Sequence, residues 1–223
     1  MADDAASHDG LGPYYEARAG EYETIYRRPE RQADLARLRE WVAHACAGRR
    51  VLELACGTGW WTEAAAERAH WIVATDFAEA PLAIARRKSY RCPIGFARMD
   101  AYAPACAPGA FDAGLAAFWW SHVPRARLPG FLAGFASRLA PGARCLFIDN
   151  RFVAGSSTPL ARTDAAGDSF QLRTLADGTR HEVMKNFPSA GQVRAALAAL
   201  GARTDVLELD HFWAASAALP GGP

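Results

Sequence analysis

The sequence predicts a doubly wound α/β domain built on a seven-stranded, mostly parallel sheet. Between residues 51 and 149, short apolar segments alternate with segments of helical periodicity. The first apolar segment, 51–55, runs through two spaced glycines directly into a helix-forming segment. After residue 150 the pattern changes to the alternation of antiparallel strands. Strands that alternate with helices imply a parallel sheet with helices on both faces, and the later change predicts a C-terminal antiparallel strand or hairpin.

The predicted elements follow from hydrophobic periodicity and from the residues that end each helix. Apolar residues recur at helical spacing over 29–47, and Gly48 ends this first helix. Pro124 suits the first turn of a later helix, which Pro141 and Gly142 end. The elements from the first strand onward are strand 51–55, helix 60–69, strand 71–76, helix 79–88, strand 94–99, strand 111–118, helix 124–140 and strand 143–149.

The C-terminal third predicts a hairpin, a helix and a final strand. Two alternating segments flank Asp177 and Gly178, and Asp-Gly between such segments is typical of a β-hairpin. Ser189 with Gln192 three residues later forms the reciprocal capping arrangement of a helix start. That helix ends at Gly201, and residues 203–215 alternate as one antiparallel strand.

Composition limits the class of protein. The chain has 223 residues, of which 51% are hydrophobic and 22% charged, so it suits one globular domain with a full core. A net charge of +1 argues against a nucleic-acid partner. The five cysteines are scattered without metal-ligand spacing, which predicts neither disulfides nor a metal site. No apolar stretch suits a membrane or a signal peptide, so we expect a cytoplasmic protein; the sequence defines no oligomeric state.

The turn after the first strand predicts a nucleotide site. Gly57 and Gly59 let the backbone approach a ligand, and the following helix directs its free N–H groups to the same place. Asp76, at the end of the second strand, is placed to accept two ribose hydroxyls. A dinucleotide fingerprint would have a third glycine where Thr62 stands, which argues against a nicotinamide-dependent oxidoreductase.

The motif Glu53-Leu-Ala55-Cys-Gly57-Thr-Gly59, followed by Asp76, resembles the class I S-adenosylmethionine (SAM)-dependent methyltransferases, whose turn reads acidic-x-Gly-x-Gly-x-Gly. Ala55 replaces the first glycine of that pattern. The resemblance covers residues 14–150 best and implies a Rossmann-like fold, SAM as cofactor and methyl transfer to nitrogen or oxygen of a small, planar metabolite. The cofactor contacts that it implies in the core are those of Glu53, Ala55, Gly57, Gly59, Trp61, Asp76, Phe77, Asp100, Ala101 and Phe118.

The N-terminal segment predicts a lid. Tyr15, Arg18, Tyr22 and Tyr26 recur at spacings that place them on one face of a helix. Similar tyrosine-rich segments in small-molecule methyltransferases fold over the cofactor, with an arginine that reaches the methionine carboxylate. An amphipathic helix packed on the sheet edge is the alternative. Mobility of a lid is favoured by three glycines, Gly10, Gly12 and Gly20.

Residues after the fourth and fifth strands predict the acceptor side. Trp119 and Trp120 face opposite ways, so at least one should line the crevice, although strand-end aromatics also belong to cores. His122 is placed either as a general base at neutral pH or as a structural residue that caps or packs. Asn150 and Arg151 point polar groups to the same edge, where Arg151 either holds an acidic substrate group or is solvated.

These expectations give a single domain over residues 1–223. Residues 10–48 form the lid and first helix, 49–150 the cofactor-binding core, and 151–223 the substrate-side hairpin, helix and final strand. A small-molecule methyl acceptor is the expected partner. A protein that binds or senses the cofactor without catalysis is the alternative from another class.

Overall fold

The computed structural model describes residues 11–201 and 203–221 of the chain. Gly10, one of the glycines counted in favour of a mobile lid, lies outside these residues. The helices and strands are α1 (Leu11–Arg18), α2 (Gln32–Ala45), β1 (Arg50–Leu54), α3 (Trp60–Ala66), β2 (Trp71–Asp76), α4 (Glu79–Ala85), β3 (Ile94–Arg98), β4 (Phe111–Ala117), α5 (Leu128–Ala136), β5 (Leu139–Asn150), β6 (Leu160–Thr163), β7 (Ser169–Thr174), β8 (Arg180–Met184), α6 (Ala190–Ala198), β9 (Arg203–Glu208) and β10 (Phe212–Ala218).

The main sheet has seven strands in the order β3-β2-β1-β4-β5-β10-β9, which confirms the predicted fold class. The first five strands are parallel, and β10 and β9 are antiparallel to their neighbours. The chain order reverses between β1 and β4. In open α/β sheets this reversal opens a crevice at the carboxyl ends of the strands, where ligands bind.

The two faces of the sheet carry separate hydrophobic cores. Leu38 of α2 and Leu82 of α4 are fully buried on one face. Phe135 of α5 and Val193 of α6 are fully buried on the other. Burying each such side chain contributes roughly 1.5–3 kcal/mol, so both helical layers hold the sheet rigid beneath the crevice.

The helix predicted over 124–140 is shorter. Pro124 lies ahead of α5, and its carbonyl accepts the N–H groups of Arg127 and Leu128 in a turn. Gly142 was expected, with Pro141, to end the helix, but it lies inside β5 with a φ of +75°. The pairing of β5 with β4 shifts register at this place, because a glycine in the left-handed region accommodates a β-bulge.

The C-terminal third also differs in part from the prediction. Residues 203–215 were expected as one strand, but the chain reverses after β9 and returns as β10, with the N–H of Leu209 donating to the carbonyl of Phe212 at 2.9 Å. The predicted hairpin is present as β7 and β8, and β6 joins it in a second, three-stranded sheet. The capping box of Ser189 and Gln192 is confirmed at the start of α6.

The N-terminal segment is not one α-helix. Helix α1 continues as a 3₁₀-helix over Ala19–Arg27, a tighter winding that still brings the tyrosines together. Ring centroids of Tyr15 and Tyr22 lie 5.9 Å apart, and those of Tyr22 and Tyr26 6.2 Å apart. We call residues 11–27 the lid segment. Within the described ranges, every helix is too short or too polar to span a bilayer.

Candidate functional site

Two non-glycine residues with left-handed backbones mark the crevice. Ala55 follows β1 with a φ of +53°, and Phe118 follows the adjacent β4 with a φ of +59°. Such conformations cost free energy and persist where the surrounding structure imposes them, often at functional sites. Gly57, with a φ of +57°, continues the turn. The left-handed backbone explains why the family pattern has glycine at the position of Ala55.

Asp76 fixes the turn from the neighbouring strand. Its Oδ2 accepts the N–H of Gly57 at 2.8 Å, and its Oδ1 accepts the N–H of Ala78 at 2.9 Å. Burial raises the pKa of Asp76, although these backbone N–H groups oppose that shift. Each carboxylate oxygen keeps a second acceptor position. Asp76 therefore fits a pair of ribose hydroxyls.

An apolar pocket beside Asp76 has the walls that a planar base needs. Arg98 lies over the Phe77 ring at 5.0 Å and donates to the Phe77 carbonyl at 2.8 Å, which holds this half-exposed ring in place. The apolar walls are formed by Leu11, Phe77, Met99, Ala101, Phe118 and Trp119. We call this space, together with Asp76, the adenosine pocket.

A second pocket adjoins the first and differs from it in charge. Tyr15, Tyr22 and Phe118 line both pockets and form the junction between them. Among the described residues, no aspartate or glutamate lines the second pocket. Its cationic lining comes from Arg18, Arg28, Arg31, Arg173 and Lys185. We call it the cationic pocket.

Lys185 enters the cationic pocket from a buried polar cluster. Its Nζ donates to Ser121 Oγ at 2.5 Å and to Asp149 Oδ1 at 3.0 Å. The Asp149 carboxylate is fully buried and also accepts the N–H of Asn150. Burial is the largest single influence and opposes ionisation of Asp149, but the Lys185 ammonium and the other favourable contacts of the carboxylate, among them the N–H groups of Ser121 and Asn150, together lower the pKa of Asp149. This ion pair fixes Lys185 at the rear of the pocket.

Two arginines close the outer side of the cationic pocket. Arg28 and Arg31 both donate to the carbonyl of Ser156, at 2.6 and 3.1 Å. Arg28 also lies 3.9 Å from Glu30, and both of those side chains are exposed. The Ser156 carbonyl is neutral, so the acidic group beside this pair is the exposed Glu30, which is not part of the pocket lining.

The other two arginines also have neutral partners. Arg173 donates to Gln171 Oε1 at 2.6 Å. Arg18 is buried and lies over the rings of Tyr14 and Tyr22, at 5.5 and 5.1 Å from their centroids. Aromatic faces attract a guanidinium but do not neutralise it. Lys185 and Arg28 thus have acidic partners outside the pocket lining, whereas Arg18, Arg31 and Arg173 have neutral partners, so the pocket keeps a net positive charge.

His122 lies at the wall of the cationic pocket with 4% of its surface exposed. Its Nδ1 lies 2.7 Å from the Met184 carbonyl, and its Nε2 lies 2.9 Å from the Tyr15 hydroxyl. Burial, followed by repulsion from Lys185, holds the pKa of His122 well below its usual range, against the attraction of Asp149. The ring is therefore neutral at pH 7.

Acidic residues anchor the lid segment to the core. Glu16 accepts the first N–H groups of α4, those of Glu79 and Ala80, at 2.6 and 2.9 Å. Glu23 accepts the hydroxyl of Thr58 in the glycine turn at 2.8 Å and pairs with Lys88 at 2.6 Å. The sequence interpretation missed these anchors. Their only signal is the recurrence of glutamate among the tyrosines of this segment.

Similarity to known proteins agrees with this geometry. Residues 51–142 match a methyltransferase domain family. DhpI, in its structure bound to S-adenosylhomocysteine (SAH), is 30% identical in sequence to this chain. The match covers 99% of this chain and 100% of the DhpI chain, with a TM-score of 0.76. The chain belongs to the class I SAM-dependent methyltransferases. This membership decides against a nicotinamide-dependent oxidoreductase, and SAM is the cofactor.

Two further structures extend the comparison. In a complex of DhpI with SAM and HEP, the protein is 28% identical in sequence to this methyltransferase. The match covers 97% of this chain and 99% of the DhpI chain, with a TM-score of 0.77. CalS10, an amino pentose methyltransferase from Micromonospora echinaspora, shares the fold at 22% identity, 87% and 95% coverage and a TM-score of 0.60. No curated protein matches the sequence.

Several residues predicted to contact SAM line the adenosine pocket or the junction of this methyltransferase, and others lie beneath them. Glu53 and Trp61 are buried in the core, 1% and 3% exposed. Gly59 has a φ of +82° and packs against Tyr90 and Ala85, so its left-handed backbone, together with this close packing, favours glycine there. Asp100 accepts the N–H of Tyr102 at 2.8 Å. The predicted residues that line the adenosine pocket are Tyr15, Tyr22, Ala55, Gly57, Asp76, Phe77, Ala101 and Phe118.

The residues predicted for the acceptor separate in space. Asn150 lines the cationic pocket, and Trp119 lines the adenosine pocket. Trp120 is instead buried against Trp213, with ring centroids 5.5 Å apart, because the second of two adjacent side chains turns into the core. Arg151 donates to the Leu209 carbonyl and points away from both pockets.

Proposed function

We propose that this methyltransferase esterifies an anionic oxygen of a small acceptor, either a carboxylate or a phosphorus oxyanion. The observation that carries the proposal is the cationic pocket, which presents five positive side chains and, among the described residues, no acidic one. Guanidinium groups match both kinds of oxyanion with paired hydrogen bonds. An amine or a neutral aromatic acceptor would have to displace water from these charges without compensating them.

The chemistry of such an acceptor needs no base. When bound, SAM supplies a methyl group activated by a sulfonium. A lone pair of the acceptor oxygen forms the new C–O bond as the S–C bond breaks, and the electrons of that bond remain on sulfur. One negative charge is lost from the acceptor and one positive charge from the cofactor. Because no proton is removed, a neutral His122 that is already hydrogen bonded is compatible with the reaction.

The protein then contributes orientation and exclusion of water. Arg173 and Lys185 reach the pocket from the β7–β8 hairpin, and Arg18 reaches it from the lid segment. Cations that converge from separate elements fix the acceptor so that one oxygen faces the junction of Tyr15, Tyr22 and Phe118. Well-oriented reactants gain up to roughly 7–11 kcal/mol from such positioning.

The proposed acceptor is anionic and differs from the small, planar metabolite that the family resemblance implies. Trp119 belongs to the adenosine pocket and Trp120 to the core, so neither supports an aromatic acceptor site. DhpI has been crystallised with SAM and HEP together. That relative supports a small acceptor that binds beside SAM in this chain as well.

The proposal is tested by a panel of matched acceptors. Each small carboxylic, phosphoric and phosphonic acid is paired with its neutral amide or fully esterified form, and formation of SAH is measured with the purified protein. We expect turnover with members of the acid set and none with their neutral partners. Turnover confined to amines or phenols would contradict the proposal.

Two arginine variants give a matched control. Arg28→Gln removes a charge from the cationic pocket, whereas Arg91→Gln removes one from an exposed side chain that pairs with Glu67. We expect Arg28→Gln to raise the KM for the acid about 5-fold or more, in line with the loss of one charge-assisted hydrogen bond. Arg91→Gln should leave that KM unchanged.

A further inference from the structure

The positive charges of the cationic pocket lie close to the place where the two pockets meet. The Nζ of Lys185 is 6.0 Å from the centroid of the Phe118 ring, and the guanidinium carbon of Arg18 is 5.1 Å from that of Tyr22. Both rings line the adenosine pocket as well. If adenosine fills that pocket, the residues of this junction would lie beside the cofactor sulfur, because the methyl group must reach the acceptor.

SAM and SAH differ in charge at this one atom. The sulfonium of SAM carries a positive charge, and the thioether of SAH is neutral. Charges about 5–10 Å apart in a partly buried site interact with little solvent screening. With no acceptor bound, the pocket cations that have only neutral partners, Arg18 and Arg173 among them, therefore disfavour SAM relative to SAH. The aromatic faces of the junction attract a sulfonium, but they do so whether or not an acceptor is present.

We infer that an anion in the cationic pocket is coupled positively to SAM and only weakly to SAH, so that acceptor and SAM bind cooperatively. This inference rests on the proposed function. An anion among Arg18, Arg173 and Lys185 offsets the charge that repels the sulfonium. By linkage, SAM raises the affinity for the anion by the same factor.

The coupling has a consequence for turnover. Methyl transfer removes the sulfonium charge and one acceptor charge together, so the attraction between the two bound molecules is lost in the same step. The product pair then binds without the cooperativity of the substrate pair. Tyr15 and Tyr22 line both pockets from the lid segment, so they lie where they would contact both partners of this interaction.

Calorimetry with a non-transferable anion tests the inference directly. SAM and SAH are titrated into the full-length protein at low ionic strength, with sodium sulfate or with sodium chloride of equal ionic strength. We expect sulfate to raise the affinity for SAM by a factor of about 5 or more over its effect on SAH. Equal effects on SAM and SAH would overturn the inference.

Arg173→Gln and the exposed control Arg91→Gln complete the design. Without sulfate, Arg173→Gln should raise the SAM-to-SAH affinity ratio, because one repelling charge is gone, and it should reduce the sulfate effect. Arg91→Gln should do neither. If sulfate itself and all acids of the acceptor panel fail to bind, the proposed function fails with the inference. If sulfate binds in its own titration and leaves the ratio unchanged, the inference alone fails.

Discussion

The phenol of Tyr15 donates a hydrogen bond to Nε2 of His122, at 2.9 Å. The other ring nitrogen, Nδ1, lies 2.7 Å from the Met184 carbonyl, which can only accept a hydrogen bond. Nδ1 therefore carries the proton of the neutral ring, and Nε2 accepts the hydrogen bond from Tyr15. His122 therefore joins the lid segment to strand β8 instead of offering a free lone pair to substrate. We regard it as a positioning residue for the lid.

Tyr15→Phe should loosen the lid segment. The variant leaves the buried Nε2 of His122 without a partner, which costs about 1–3 kcal/mol of stability. Part of the lost stability belongs to the contact between the lid segment and the core. Because Tyr15 of this segment lines the adenosine pocket, the affinity for SAH should fall several-fold. Denaturant unfolding and calorimetry measure the two effects. Tyr14→Phe is the matched control on the same helix, and equal losses in the two variants would contradict this role of Tyr15.

The buried, neutral His122 predicts a loss of stability in mild acid. Its pKa is lowered by burial, so between the usual pKa near 6.5 and the folded value the unfolded chain binds more protons than the folded protein. Stability therefore falls as the pH falls, by about 1 kcal/mol between pH 6.5 and 5.5. His122→Gln should lose correspondingly less over this interval. Parallel stability curves for the two proteins would rule the assignment out.

Ala55→Gly should stabilise the protein although it removes a methyl group. The left-handed conformation of Ala55 costs an L-residue roughly 1–2 kcal/mol, and glycine avoids this cost. Glycine also makes the unfolded chain more flexible, and this effect cancels about half of the gain. A gain of about 0.5–1 kcal/mol in the free energy of unfolding is expected. Ala97→Gly, in strand β3, is the control and should destabilise. If both variants changed the free energy of unfolding in the same direction, relief of backbone strain at position 55 would be excluded.

Sequence patterns predicted the sheet and the positions of the glycine turn and of the end of β2, because these depend on local chemistry. Gly57 and Asp76 lie where the periodicity of 51–76 placed them, since a turn and a strand end are determined within a few residues. The turn at Pro124 and the bulge at Gly142 were missed. Their conformations depend on contacts with Leu128 and with strand β4 that no local pattern records.

The cationic pocket could not be predicted, because its lining comes from distant parts of the chain. Arg28 and Ser156 are separated by 128 residues and meet only through the loop after β5. Lys185 and Arg173 lie in the segment 151–223, for which the sequence predicted only a substrate-side hairpin, helix and final strand. A single sequence shows such residues as ordinary surface charges until the hairpin of β7 and β8 is folded against the lid segment.

Asp76→Asn should weaken cofactor binding. An amide keeps only one acceptor oxygen, so it cannot serve the N–H groups of Gly57 and Ala78 and two ribose hydroxyls together. Loss of one or two hydrogen bonds to a charged group lowers the affinity for SAH about 10–100-fold. Calorimetry measures this value. Asp112→Asn, which breaks a surface ion pair with Arg50, should bind SAH as the parent protein does.

Glu53 should make the protein less stable as the pH rises through neutrality. The side chain is 1% exposed below the glycine turn, and burial raises its pKa to about 8. In the unfolded chain the group has the ordinary value near 4.5, so between these values the folded protein binds one proton more than the unfolded chain. The contribution of Glu53 to folding stability is therefore largest below about pH 4.5 and is lost progressively up to about pH 8.

Glu53→Gln removes this titration and keeps the size of the side chain. Between pH 5 and pH 7.5 the variant should gain about 3 kcal/mol in free energy of unfolding relative to the parent protein. Denaturant titrations of the ligand-free protein at four pH values give the difference, and groups common to both proteins cancel from it. If the difference in free energy of unfolding between the two proteins stayed constant with pH, Glu53 would already be ionised in the folded protein. Glu67→Gln, at an exposed side chain, provides the reference for a surface carboxylate.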